Sequence, residues 1–350
     1  MLSSSLTLEL PSADEILRQQ IPHIEEHGLH AQPLEDGRFL IESEYGLLYL
    51  SADQEQMTFA LETQREEALE FMRSFLSEYL LEHMPFLAEE HLVWKGHVPD
   101  EGTPSNFRVM TVVRREVLHE GMLRLTLSGE GLESFCHGGL HFRLLLPVNP
   151  GRPPVWPVRA RSGKVRFPEG EEALYNRVYT ARFVRPEAGE LDFDLVRHAG
   201  GVASDWAETV EPGSVVGVMG PGGGGFPDAR WLLMGGDETA LPAISRILEN
   251  CAADVCGQVF LATRQADWKV GLKKPSGVEI AWLEDDGVAL PKALLSARIP
   301  DMEGSYVWFG SEQQQAREVR KVLKSDWQLK TDQYYCAAYW NRQASGEPEL

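Results

Sequence analysis

The spacing of apolar positions changes twice along the chain, and the two changes divide it into three stretches. In the first, apolar residues recur at helical spacing over Asp14 to His27 and over Arg65 to Met84. In the longer run Leu69, Met72, Phe75, Leu76, Tyr79 and Leu80 are expected to form the buried face. Arg38 to Ile41 and Gly46 to Leu50 read as short strands. A small α+β domain is therefore expected over residues 1–100, ending in the polar stretch His97 to Pro104.

From Phe107 the pattern shortens to strands with turn residues between them. The runs are Phe107–Val117, Leu123–Leu127, Leu140–Pro147, Arg177–Val184, Glu190–Val196 and Ser214–Met219. So many antiparallel strands with little helix predict a six-stranded β-barrel over 105–227, with Pro147 to Pro168 as a surface excursion. After Pro227 apolar strands alternate with helices. The strands are Trp231–Met234, Gln258–Ala262, Glu279–Leu283, Tyr306–Phe309 and Tyr335–Tyr339; the helices are Leu241–Asn250, Leu290–Ser296 and Glu312–Ser325. That alternation predicts an α/β doubly wound domain over 228–345, whose ligand crevice lies at the carboxyl ends of its strands.

Charge changes this picture in one respect. The net charge is −20, which excludes nucleic acid and anionic membranes as general partners. Residues 1–100 hold 20 acids against 5 bases, so an anionic ligand is expected in the later part of the chain. His23, His27 and His30 would share a helical face if the helix ran past Gly28, which leaves metal binding or a solvated acidic face there. The four cysteines, Cys136, Cys251, Cys256 and Cys336, form no CxxC or iron–sulfur spacing, so no Cys-bound metal or cluster is expected. No apolar run reaches eighteen residues, and Met1 to Leu10 lack the basic-then-apolar order of a signal peptide. A cytoplasmic setting without membrane insertion is the expectation.

The candidate chemistry sits in the second and third stretches. Arg177-Val178-Tyr179-Thr180-Ala181-Arg182 fits an R-x-Y-[ST] pattern, in which Arg177 and Tyr179 share a strand face. A guanidinium there can pair with pyrophosphate while the ring lies against a flavin, and Thr180 can meet the flavin edge. Downstream, His198 precedes Gly201-Val202-Ala203-Ser204, a glycine turn opening a helix. Its amides suit a phosphate, and an ordinary N-cap by Ser204 is the alternative. Gly235-Gly236-Asp237-Glu238-Thr239-Ala240 then places a turn where a dinucleotide phosphate belongs in such a sheet.

Taken together, these segments resemble the siderophore-interacting proteins, flavin-dependent ferric-siderophore reductases. The resemblance rests on Arg177 to Arg182, His198 to Ala207, Gly236 to Ile244, and Tyr339-Trp340-Asn341-Arg342, and spans Phe107 to Arg342. It implies FAD and a nicotinamide cofactor, held by Arg177, Tyr179, Thr180, Arg182, His198, Gly201, Val202, Ala203, Ser204, Asp237, Glu238, Thr239, Ala240, Thr263, Arg264, Gly310, Glu312 and Trp340. Trp340 is either a ring on the nicotinamide side of the flavin or a core indole. Arg264 and Lys269 after the second α/β strand favour NADPH, with NADH as the alternative and solvated surface charges as the blander reading.

The implied reaction needs no acid, base or nucleophile from the protein, because the flavin turns hydride transfer into single-electron reduction of Fe³⁺. A cationic pocket for an anionic ferric siderophore is expected at Arg143, Arg182 and Arg342, with Arg182 equally able to brace the FAD phosphate. The loop Gly220-Pro221-Gly222-Gly223-Gly224-Gly225 lacks the G-K-[ST] of a P-loop and reads as a flexible connection. A flavin reductase that passes electrons to a partner protein is the alternative function, and the partner of residues 1–100 is unknown.

Overall fold

In a computed structural model that describes residues 1–26, 30–43, 45–198, 200–263, 271–284 and 287–342, the chain forms two compact units. The first is Met1–Phe107 with Pro153–Gly170; the second is Arg108–Arg152 with Glu171–Leu350.

The first unit runs β1 (Leu2–Glu9), α1 (Ala13–Glu26), β2 (Ala31–Pro33), β3 (Phe39–Ser43), β4 (Gly46–Ala52), β5 (Gln56–Thr63), α2 (Glu66–His83) and β6 (Trp94–Gly96). Its strands make one antiparallel sheet in the order β2-β3-β4-β5-β1-β6. Leu6, Leu8, Leu50, Phe59 and Leu61 from the sheet pack with Leu17, Leu69, Leu76 and Leu80 from the helices. Phase along α2 corrects one expectation. At 3.6 residues per turn Phe75 falls about 120° from Leu69, and it is exposed, stacked at 6.3 Å on Phe71. Helix α1 is described as far as Glu26 and His30 is not helical, while His27 lies outside the described residues. The His23 ring instead faces His83 at 4.6 Å, and no group of three metal-ligating side chains forms among the described residues.

The second unit begins at Arg108 within β7 (Phe107–His119) and continues with β8 (Met122–Ser128), α3 (Ser134–His137) and β9 (His141–Pro147). The hairpin that follows, β10 (Val158–Arg159) with β11 (Val165–Arg166), belongs to the first unit. There Arg159 donates to Glu70 at 2.6 Å and Arg166 to Glu89 at 2.7 Å, while the Ser162 carbonyl accepts from the Trp94 indole at 2.9 Å. The proline-rich excursion is thus built into a folded unit and is not a loose surface loop.

The barrel resumes with β12 (Leu174–Thr180), β13 (Phe183–Arg185), β14 (Glu190–Val196), α4 (Val202–Thr209) and β15 (Val215–Gly222). The sheet order is β12-β9-β15-β7-β8-β14-β13, seven strands where six were expected. The single strand read over Arg177–Val184 breaks at Ala181-Arg182, and the break closes the barrel. Ala181 N donates to Leu140 O at 2.9 Å, and the next amide, Arg182 N, donates to Asp192 O at 2.7 Å. Two consecutive residues therefore hydrogen-bond toward opposite ends of the sheet, one beside β9 and one in β14.

The α/β domain runs β16 (Trp231–Gly236), α5 (Leu241–Asn250), β17 (Cys256–Thr263), β18 (Gly277–Glu284), α6 (Ala289–Ser296), β19 (Ser305–Glu312), α7 (Gln313–Ser325) and β20 (Tyr334–Trp340). All pairs are parallel in the order β18-β17-β16-β19-β20. Leu232 and Met234 pack into one apolar cluster and Leu233 into another, because successive side chains of a parallel strand are buried on both faces.

Candidate functional site

The end of β12 carries the first group. Thr180 is only 4% exposed, and its neighbour two residues back, Val178, is exposed. Tyr179 pairs across the ladder with Phe142, its ring 5.0 Å from Phe193. Burial raises the Tyr179 phenol well above its ordinary pKa, with the Arg177 charge pulling the other way. Arg177 is half-buried on the same strand face and donates to the Asn176 carbonyl at 2.9 Å. Thr180 does not stand alone. Its Oγ1 lies 3.2 Å from His141 Nδ1, and His141 Nε2 lies 2.9 Å from the Tyr339 hydroxyl.

Helix α4 supplies the second group. Gly201 is its N-cap residue, and no side chain caps it. Ser204 lies inside the first turn, where its hydroxyl accepts from His198 N at 3.1 Å. The alternative of an N-cap by Ser204 is thereby set aside. The amides of Val202, Ala203 and Ser204 have no acceptor among the described residues. A Cβ at Gly201 would stand 2.0 Å from His198 Cε1, so a larger residue would push the imidazole off the helix start. Open amides at a helix start and a guanidinium on the strand are the donor set that a pyrophosphate requires.

The glycine loop is not a loose connection. Leu140 N donates to the carbonyls of Gly223 and Gly224 at 3.1 and 3.0 Å. Both glycines have positive φ, and a Cβ would meet His141 Cδ2 at 2.9 Å from Gly223 and Tyr335 Cδ2 at 2.7 Å from Gly224. The glycines let the loop lie against these two rings.

At the carboxyl ends of the parallel strands, Asp237 is the hub. It is 3% exposed. Its Oδ1 accepts from the Thr239 amide at 2.9 Å and hydroxyl at 2.5 Å. Its Oδ2 accepts from Ser311 Oγ at 2.8 Å and from Trp340 Nε1 at 2.7 Å. Asp237, expected as a cofactor ligand, accepts from protein donors at both oxygens and orients Trp340. Glu312 is also committed. It caps α7 by accepting from Gln314 N at 2.6 Å, and its other oxygen lies 3.4 Å from Arg342 N. Glu238, Ala240 and Thr263 are buried beside the hub, and Gly310 pairs with Gly236. Arg264 and Lys269 lie outside the described residues.

The three expected substrate cations differ. Arg182 is held by Glu249 of α5 in a bidentate pair at 2.7 and 2.6 Å, with Asp194 at 3.9 Å. Through that pair it joins barrel to α/β domain. Arg143 is exposed, beside Val178 in the ladder, and has no partner among the described residues. Arg342 is exposed, its guanidinium 5.6 Å over the Trp340 ring. A fourth cation escaped the sequence reading: Arg246, buried, donating to Phe135 O at 2.5 Å and Leu140 O at 3.4 Å. Burial, together with Arg182, lowers its pKa to about 10 even though Cys136 opposes the shift.

Residues 229–343 match the siderophore-interacting protein family, and residues 111–225 match the siderophore-interacting FAD-binding domain. The ferric vibriobactin reductase ViuB of Vibrio cholerae is 32% identical over 248 residues, covering 67% of this chain and 89% of that protein. The chain belongs to the siderophore-interacting protein family. A second relative in this range is the NADPH-dependent ferric-chelate reductase of Escherichia coli, 31% identical over 67% of this chain and 93% of its own length. The crystal structure of the siderophore-interacting protein SipS from Aeromonas hydrophila is similar at 29% identity with a TM-score of 0.58, covering 68% of this chain and 92% of that one. In this siderophore-interacting protein, then, the barrel is the FAD-binding domain, and its open helix start and Arg177 are in keeping with that cofactor. No helix among the described residues is long and apolar enough to cross a membrane.

Proposed function

We propose that this protein reduces ferric siderophores in the cytoplasm, drawing electrons from NADPH through FAD and so releasing iron as Fe²⁺. The observation that carries the reading is the helix start at Gly201, whose three acceptor-free amides lie in the domain matched to FAD binding. The two relatives named as ferric reductases support the substrate class, and the name of the second supports NADPH. Bound FAD supplies the conversion of a two-electron hydride donor into one-electron reductions of Fe³⁺.

The chain's own part is to bind and orient. Arg177 and the amides of Val202, Ala203 and Ser204 hold the pyrophosphate, and Tyr179 and Thr180 meet the flavin. Asp237 fixes Trp340 at the carboxyl end of β20, where the ring covers the nicotinamide side. Arg264 and Lys269 supply cations after β17 for a 2′-phosphate. Arg143 and Arg342, both exposed, attract an anionic iron chelate against the acidic charge of the whole molecule.

The test is FAD uptake. Apoprotein titrated with FAD should gain the visible bands of a bound flavin and bleach on anaerobic addition of NADPH. Failure to take up FAD would remove the reading at its base. Bleaching that is as fast with NADH, and unaltered when Arg264 and Lys269 are neutralised, would remove the NADPH assignment alone.

A further inference from the structure

We propose that His141 is a positioning residue, which holds the Thr180 hydroxyl in one orientation toward the flavin and ties that orientation to Tyr339 on the last strand. The inference deepens the FAD reading above and rests on it.

His141 is 5% exposed and touches two hydroxyls, one through each ring nitrogen. Thr180 belongs to the barrel strand next to it in the ladder, whereas Tyr339 comes from β20 of the α/β domain. The Tyr339 ring meets the imidazole edge-on at 5.5 Å. Gly223 makes room for the ring, since a Cβ there would press on Cδ2 at 2.9 Å. The Tyr335 ring lies on the far side, 6.1 Å from the imidazole. The ordered series is Thr180, His141, Tyr339.

Burial, and then the nearby Arg246 charge, lower the His141 pKa to about 4. At neutral pH the ring therefore carries one N–H. A neutral imidazole between two hydroxyls must donate at one end and accept at the other. Tyr339 remains protonated, because burial, Tyr335 and Asp237 all raise its phenol. Whichever tautomer Tyr339 selects, the Thr180 hydroxyl inherits a single direction and cannot rotate freely. That direction decides whether Thr180 offers a proton or a lone pair to the flavin edge. β20 also carries Trp340 on Asp237, so one strand end sets both the threonine and the indole.

The experiment compares Tyr339→Phe, His141→Gln and their double variant in FAD dissociation constant and flavin midpoint potential. Tyr339→Phe should weaken FAD binding about fivefold, the size of one hydrogen bond, and shift the potential. His141→Gln should move both readouts in the same direction. The double variant should be no worse than the poorer single one, because the two residues act in series. His141→Asn, which can still reach Thr180, should stay nearer the parent. If His141→Gln fails to fold, Tyr339→Phe decides by itself. A Tyr339→Phe protein with the parent's FAD affinity and potential would overturn the inference, as would independent, multiplying effects. Parent protein that takes up no FAD would overturn the FAD reading and this inference together. Parent that binds FAD beside an unchanged Tyr339→Phe would overturn this inference alone.

Discussion

The helix start at Gly201 and the Asp237 hub are both rich in polar groups, yet one is open and the other closed. At Gly201 three amides have no acceptor among the described residues, so an arriving anion would find open donors there. At Asp237 every carboxylate oxygen is matched by protein donors, so the site is finished before any cofactor binds. A site that leaves donors unsatisfied contributes affinity for its ligand. One that satisfies its own donors contributes geometry, here the placement of Trp340. The two should therefore fail differently, the closed one in stability and the open one in ligand affinity.

The largest expected effect is at the closed site. Asp237→Ala would leave the Trp340 indole and the Thr239 amide and hydroxyl without the carboxylate they donate to, while Ser311 keeps Gln315 as acceptor, costing on the order of 4 kcal/mol of folding stability. Denaturant unfolding of the apoprotein would measure it. A variant as stable as the parent, but weak in nicotinamide binding, would make Asp237 a cofactor ligand after all and break the contrast.

Next in size is a pH effect at His141. Its folded pKa of about 4 lies below the unfolded value of 6.5. Between these pH values the unfolded chain holds a proton that the folded chain does not, so stability falls as pH falls from 6.5 to 4. The loss amounts to about 3 kcal/mol. His141→Gln should flatten that slope of stability against pH, and an unchanged slope would assign the loss to other groups.

The open site should respond in affinity alone. Arg177→Ala should weaken FAD binding by roughly 1.5–3 kcal/mol while leaving the apoprotein melting temperature near that of the parent. A large drop in melting temperature would mean that Arg177 supports the barrel wall. Smallest is the exposed cation. Arg143→Glu should raise KM for an anionic ferric siderophore about tenfold, ~1.4 kcal/mol, with oxidation of NADPH by a neutral quinone little changed. Arg182→Gln sharpens the point: with its guanidinium clamped by Glu249, it should cost stability and leave that KM within about twofold.

The open site was readable in the sequence because its signals are local. A glycine before an apolar helix and an arginine two residues from a tyrosine each act within one turn or one strand. The α/β strands were readable too, since burial on both faces leaves apolar runs such as Trp231–Met234. The closed site was readable only as a set of residues. Asp237, Ser311 and Trp340 are brought together by parallel register, which fixes that β19 ends beside β16 and β20 beside β19 and is not written in any one segment. His141 was missed for the same reason: its partners are 39 and 198 residues away in the chain. The first unit lost strands to composition. Ser3, Ser4 and Ser5 mask the alternation of β1, although Ser4 is buried and donates to the His97 carbonyl. The proline-rich segment misled because its anchors, Glu70, Ser77, Glu89 and Trp94, lie far upstream.

The most direct test of the central claim counts electrons. FAD-loaded protein, a limiting amount of NADPH and excess ferric siderophore are mixed without oxygen, with a chromogenic chelator to capture Fe²⁺. The account predicts that two Fe²⁺ form for each NADPH consumed, and that none forms when FAD is left out. Consumption of NADPH with no Fe²⁺, or Fe²⁺ formed at the same rate without FAD, would contradict it.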